Sequence, residues 1–331
     1  MKKHVFGLMA LAVAFLFAPA HKAAMAQETP SSVVVSIAPQ KYMVERIAGN
    51  LVTVTVLVKA GADPHAYEPS PAQMRECAAA RLYFSIGVPF EDIWLPRISG
   101  TNKELQIVST IRDIHRTGFS GELTEEHDGL TANHEAEGHA HDDTDHDHGA
   151  HAGPHDAGHE HEEHHHGAED PHVWLSPLLV KQMLPSIVET LSEALPEHAA
   201  VFQANAEALA GELQSLHEEL GALFAATPEA QRVFLTFHPS WGYLAREFGL
   251  TELSIEMEGK EPGPRTMKNV IDAARKYKLH TIFVEPQFPT AAATAVAANI
   301  RAEVKRIDPL AENLPENLRQ VAGALSESFP K

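Results

Sequence analysis

Past the first thirty residues, short apolar runs recur between turn-forming residues. From Ser32 onward, VVVSIAP, VTVTVLV, RLYFSIG and LQIVS read as buried strands, and stretches such as QKYMVERIAG and SPAQMRECAAA between them carry helical spacing. Further along, SPLLVKQMLPSIVETLSEAL predicts a helix with Ser176 as its cap and Pro177 in its first turn. A longer helix is predicted from about Glu197 to Ala225, where Phe202, Leu209, Leu213, Leu216, Leu220 and Phe224 recur on one face. At 1.5 Å per residue it spans about 43 Å, enough to link two lobes. After Pro228 the alternation resumes: RVFLTF, LTELSI, HTIFVE and EVKRI as strands, WGYLAREFG, TMKNVIDAARKY and TAAATAVAANIR as helices, and a last helix from about Pro315 to Ser328.

Strands alternating with helices imply parallel pairing, so the expected fold is α/β: two (β/α) lobes with mainly parallel sheets on either side of a long helix. The expected divisions are an export signal (1–26), an N-terminal lobe (27–195), a linking helix (196–227) and a C-terminal lobe (228–331). The export signal rests on Lys2 and Lys3, the apolar run from Val5 to Ala18, the break at Pro19 and the small-residue string Ala24-Met25-Ala26. That run is shorter than the roughly 20 residues a membrane helix needs. Without a cysteine at the cleavage point no lipid anchor is expected, and a soluble periplasmic monomer is the simplest reading. Cys77 is the single cysteine, which excludes an intramolecular disulfide; among alanines it reads as a buried structural thiol.

Charge is unevenly placed. The net charge is −19, yet residues 121–170 hold sixteen of the 45 acidic side chains and none of the 26 basic ones. The body is therefore nearly neutral, and with no basic stripe nucleic acid is excluded as a partner. The same segment holds thirteen histidines between His127 and His166, with almost no large apolar residues. It cannot bury enough surface to offset its ordering entropy, so a disordered loop is expected. Imidazole and carboxylate suit zinc and its neighbours, and His139, His141, His146, His148, His151, His155, His159, His161, His164, His165 and His166 are expected to take up several ions weakly.

A sharper signal lies in the ordered parts. His65, His172 and His238 each stand beside a proline where strand or loop gives way to helix, in GADPHAYEP, EDPHVWLSP and TFHPSWGYL. Open parallel sheets place ligands beyond the carboxyl ends of their strands. His65 follows VTVTVLV, His238 ends VFLTF, Glu285 ends TIFVE, and His172 enters from the loop after the acidic tract. In the first two strings proline fixes the backbone and Asp63 or Asp170 is placed to orient a neighbouring group. Trp174 and Trp241 are expected to pack in the core.

The two DPH strings, HPSWGYLAREFGL, LSIEMEGKEPGPRTM and IFVEPQF resemble the metal-binding periplasmic proteins of ABC importers, the cluster A-I solute-binding proteins, in particular the zinc-uptake type. The resemblance covers essentially the whole mature chain. It implies two lobes joined by a rigid backbone helix, one Zn(II) held between them by His65, His172 and His238, and delivery to a membrane permease driven by a cytoplasmic ATPase. Manganese-type relatives carry a glutamate at the position of His238 and an aspartate near Pro289; both departures favour nitrogen donors and zinc. Glu285 is the candidate for the fourth position: it reaches the ion, accepts a hydrogen bond from a ligating ring, or leaves the place to water. Other readings are a carrier of manganese, iron or nickel, a metal-dependent adhesin or zinc buffer, and a zinc hydrolase, the last disfavoured by the absence of HExxH. No enzymatic activity is expected.

Overall fold

The computed structural model describes residues 31–120, 169–256 and 263–330. The expected export signal and the eleven tract histidines named above lie outside the described residues.

The first sheet is formed by β1 (Ser31–Val35), β2 (Val52–Val56), β3 (Leu82–Ser85) and β4 (Gln106–Ser109), in the order β2-β1-β3-β4 with every pair parallel. Parallel neighbours need a crossover, and α1 (Ala38–Ala48), α2 (Pro71–Ala79) and α3 (Phe90–Thr101) supply it. The central strands are covered on both faces, which is why they read as continuous apolar runs: Val33, Val34, Val35, Leu82, Tyr83 and Phe84 are all buried.

Two helices follow. In α4 (Pro177–Ala194) the Ser176 hydroxyl accepts the Leu179 amide at 3.1 Å, and Pro177 sits in the first turn. The long helix α5 (Ala199–Ala225) buries Phe202, Leu209, Leu213, Leu216, Leu220 and Phe224, the face its spacing predicts. It packs on α1 and α4.

The second sheet repeats the order of the first. Its strands β5 (Val233–Thr236), β6 (Thr251–Ser254), β7 (Thr281–Val284) and β8 (Glu303–Arg306) run β6-β5-β7-β8, again all parallel, with α6 (Gly242–Phe248), α7 (Pro264–Lys276) and α8 (Ala291–Ile300) between them. The last helix, α9 (Leu314–Ser328), leaves this sheet and lies against α5. Leu314, Leu318, Val321 and Leu325 thereby join the larger apolar core, which runs from the first sheet through α4 and α5 and takes in Trp241, Leu244 and Phe248 around α6. A smaller core serves the second sheet, with Leu235, Ile255, Val270, Ile282 and Val296 among its members. The two sheets are thus tied to one another by shared burial around α5 as well as by connectivity.

Among the described residues no helix is long and apolar enough to cross a membrane. Cys77 is a free, buried thiol whose pKa burial pushes up to about 11, as an inert core cysteine requires.

Candidate metal centre

Three loops converge between the sheets. The first follows β2, where Asp63 Oδ1 accepts the His65 amide at 2.8 Å, an Asx turn that Pro64 stiffens. The second repeats the device: Asp170 Oδ1 accepts the His172 amide at 2.9 Å and also holds His172 Nδ1 at 2.7 Å. The third begins where β5 ends, and there His238 Nδ1 meets Glu256 Oε2 at 2.5 Å. Glu256 lies just past β6, so two neighbouring strands of one sheet deliver the ring and its partner.

The loop carrying His172 is fastened at several points. Its Asp170 amide donates to Thr117 O at 2.9 Å, Gly118 and Glu169 form an antiparallel bridge, and Arg116 pairs with Glu169. Tyr243 on α6 donates its hydroxyl proton to Asp170 O at 3.0 Å and accepts the Thr117 amide at 3.0 Å. The approach is so close at Gly242 that an added Cβ would lie 2.5 Å from Ser120 Oγ and 2.9 Å from Asp170 Oδ2, so any side chain there would have to push these groups aside.

The result is a trio of rings. Centroid separations are 5.5 Å for His65 and His172, 5.0 Å for His65 and His238, and 5.2 Å for His172 and His238. One ligand nitrogen from each ring lies within 4.8 Å of the other two. A carboxylate only accepts, so the proton shared with Asp170 or Glu256 sits on Nδ1 and leaves the Nε2 lone pair of His172 and of His238 free. Nε2 of His65 and of His238 are buried without a hydrogen-bond partner in the protein. Buried polar atoms are rarely left so.

Electrostatics agree with neutral rings. Burial lowers the pKa of all three histidines from 6.5, and the His238 ring adds to the effect at His65. His172 and His238 are each only 3% exposed. The cavity they share holds about 10 Å³ and is lined further by Asp63, Ser240, Gln287, Phe288, Pro309 and Leu310. Phe119 stands edge-on to His172 and His238 at 6.1 and 6.3 Å, and Phe288 lies 4.8 Å from His238.

Glu285 is not among the ligand atoms that lie within 4.8 Å of one another. It is 1% exposed; Ser240 Oγ donates to its Oε1 at 3.4 Å, and its Oε2 is buried without a partner. Burial, with the nearby Glu252 carboxylate, pushes its pKa well above the usual carboxylate range. Trp174 is fully buried, as a core residue should be, yet its ring also lies 5.3 Å from that of His172 and lines the cavity, so it serves both core and site. Glu256, Phe119 and Gln287 are site residues that the motif reading passes over. For Glu256 a signal existed: it directly follows the strand string LTELSI, much as Glu285 ends TIFVE.

A family model described as "Zinc-uptake complex component A periplasmic" matches residues 33–327. The zinc-binding protein AdcA of Streptococcus pyogenes serotype M3 is 28% identical over 323 residues, covering 96% of this chain and 57% of AdcA. The chain therefore spans little more than half the length of that relative. A crystal structure of ZnuA superposes with a TM-score of 0.74 at 34% identity, over 91% of this chain and 100% of the other. A zinc-bound ZnuA deletion mutant gives 0.74 at 33% identity, over 91% and 99%. The chain belongs to the family of periplasmic zinc-uptake component A proteins.

Proposed function

We propose that this chain is the periplasmic solute-binding component of an ABC importer, capturing Zn(II) between its sheets on His65, His172 and His238 and handing it to a membrane permease driven by a cytoplasmic ATPase. The observation that carries this is the convergence of three ligand nitrogens within 4.8 Å from three separate loops. Two of the rings have their Nδ1 fixed by a buried carboxylate, the arrangement that orients histidine ligands and raises their basicity. Three neutral imidazoles suit zinc over the harder manganese, and the zinc named for AdcA and for the bound ZnuA structure points the same way. Residues 1–26 direct export, and the histidine-rich tract is a weaker, auxiliary binder.

Binding rather than catalysis fits the surroundings. Asp170 and Glu256 are engaged by Nδ1, and Glu285 accepts from Ser240 Oγ and is not among the atoms that converge with the three ring nitrogens. None is set as the general base a hydrolytic zinc centre needs. The test is calorimetry on the full exported chain: His238→Ala should weaken tight zinc binding by at least roughly tenfold. Unchanged tight binding in that variant would remove His238 from the site.

A further inference from the structure

Of the polar side chains lining the cavity beside the three rings, two are spoken for. Asp63 Oδ1 accepts the His65 amide, and Ser240 Oγ donates to Glu285. The third, Gln287, follows β7 by three residues, and its side chain is fixed from behind: Nε2 donates to Asp308 Oδ1 at 2.9 Å. That bond settles which end of the carboxamide is which, because a carboxylate cannot donate. Oε1 is therefore the free end, and it is buried with no hydrogen-bond partner. Asp308 is itself held, since Oδ1 also accepts the Leu310 amide at 2.9 Å.

A buried acceptor without a donor calls for one. The three nitrogens are acceptors too, so they cannot serve it, and the ion they take up has no proton to give. Zinc held by three protein ligands keeps a fourth position for water, and among the described residues no carboxylate or thiolate joins the three ring nitrogens. We propose that a water molecule completes the zinc coordination in this cleft and that Gln287 is its positioning residue, accepting a hydrogen bond from it through Oε1. An amide carbonyl is a ligand better matched to harder ions than to zinc, which favours a water between them over direct ligation. The water ties the ion to the β7–α8 loop, so Gln287 slows zinc release without touching zinc.

This inference rests on the three-histidine reading, and the experiment separates the two. Zinc affinity, measured by chelator competition, and the visible spectrum of the Co(II)-loaded protein across pH are compared for wild type, Gln287→Met and Asp308→Ala. If wild type takes up no tight ion, the three-histidine reading itself fails. With tight binding in wild type, Gln287→Met should bind zinc about tenfold more weakly, the lower end of the range for an outer partner of a metal ligand. The Co(II) spectrum of Gln287→Met should keep its coordination number. Its pH midpoint should move down, because bound water donates more strongly than bound hydroxide and loses more when the acceptor goes. Asp308→Ala, which leaves Oε1 in place but frees the amide, should shift both in the same direction by less, and it carries the test should Gln287→Met not fold. Unchanged affinity and midpoint would reduce Gln287 to packing. A changed coordination number at every pH would make its oxygen a direct ligand and overturn the water.

Discussion

Glu256 bears on zinc through one ring. It holds His238 Nδ1 at 2.5 Å, and both side chains are almost wholly buried. Replacing it by glutamine keeps the shape and an acceptor oxygen but removes the charge that favours Nδ1–H. Zinc affinity in Glu256→Gln should fall roughly tenfold with the fold unchanged, by competition titration and circular dichroism; equal affinity would show that the carboxylate only fills space. The three rings were legible because a proline stands beside each of them in sequence, and because His65 and His238 follow strands. Their partners were legible only where they were close in the chain: Asp63 and Asp170 lie two residues from their histidines, whereas Glu256 is eighteen residues from His238 and meets it only through the pairing of β5 with β6. Phe119 carried no local signal either, since the contact depends on Gly118 bridging to Glu169.

Most elements announce themselves by periodicity, because buried parallel strands are uniformly apolar and α5 carries one clean stripe. Helix α3 does not: FEDIWLPRISGT mixes Pro96 and Gly100 with exposed Ile93, and its place is set by packing and by Glu91, whose carboxylate accepts the Ile86 and Gly87 amides. Nor does the return of α9 to α5 follow from sequence, since an amphipathic stripe does not name the surface it will cover. Gly118 and Glu169, on either side of the histidine-rich tract in sequence, are joined by an antiparallel bridge. Removing residues 125–168 while keeping that bridge should retain one tightly held zinc and lose the weak ones, by elemental analysis after dialysis at graded zinc. Equal stoichiometry with and without the tract would show that it stores no metal.

For the whole molecule the consequence is a site that protons enter late. Burial lowers all three histidine pKa values from 6.5, so the folded, metal-free protein takes up these protons less readily than the unfolded chain does. The stability tied to these groups is present above pH 6.5 and is lost as pH falls below it, through the range in which only the unfolded chain is protonated. Zinc needs the rings neutral, so affinity should be nearly flat from pH 8 to 6.5 and decline only below that, by competition titration. A decline already under way between pH 8 and 7 would mean rings that titrate above the ordinary value. The most direct measurement of all is an anomalous-difference map at the zinc edge from crystals of the zinc-loaded protein. The expected result is a single strong peak about 2.0–2.1 Å from Nε2 of His65, His172 and His238. A peak lying elsewhere, or three rings with no shared ion, would contradict the account.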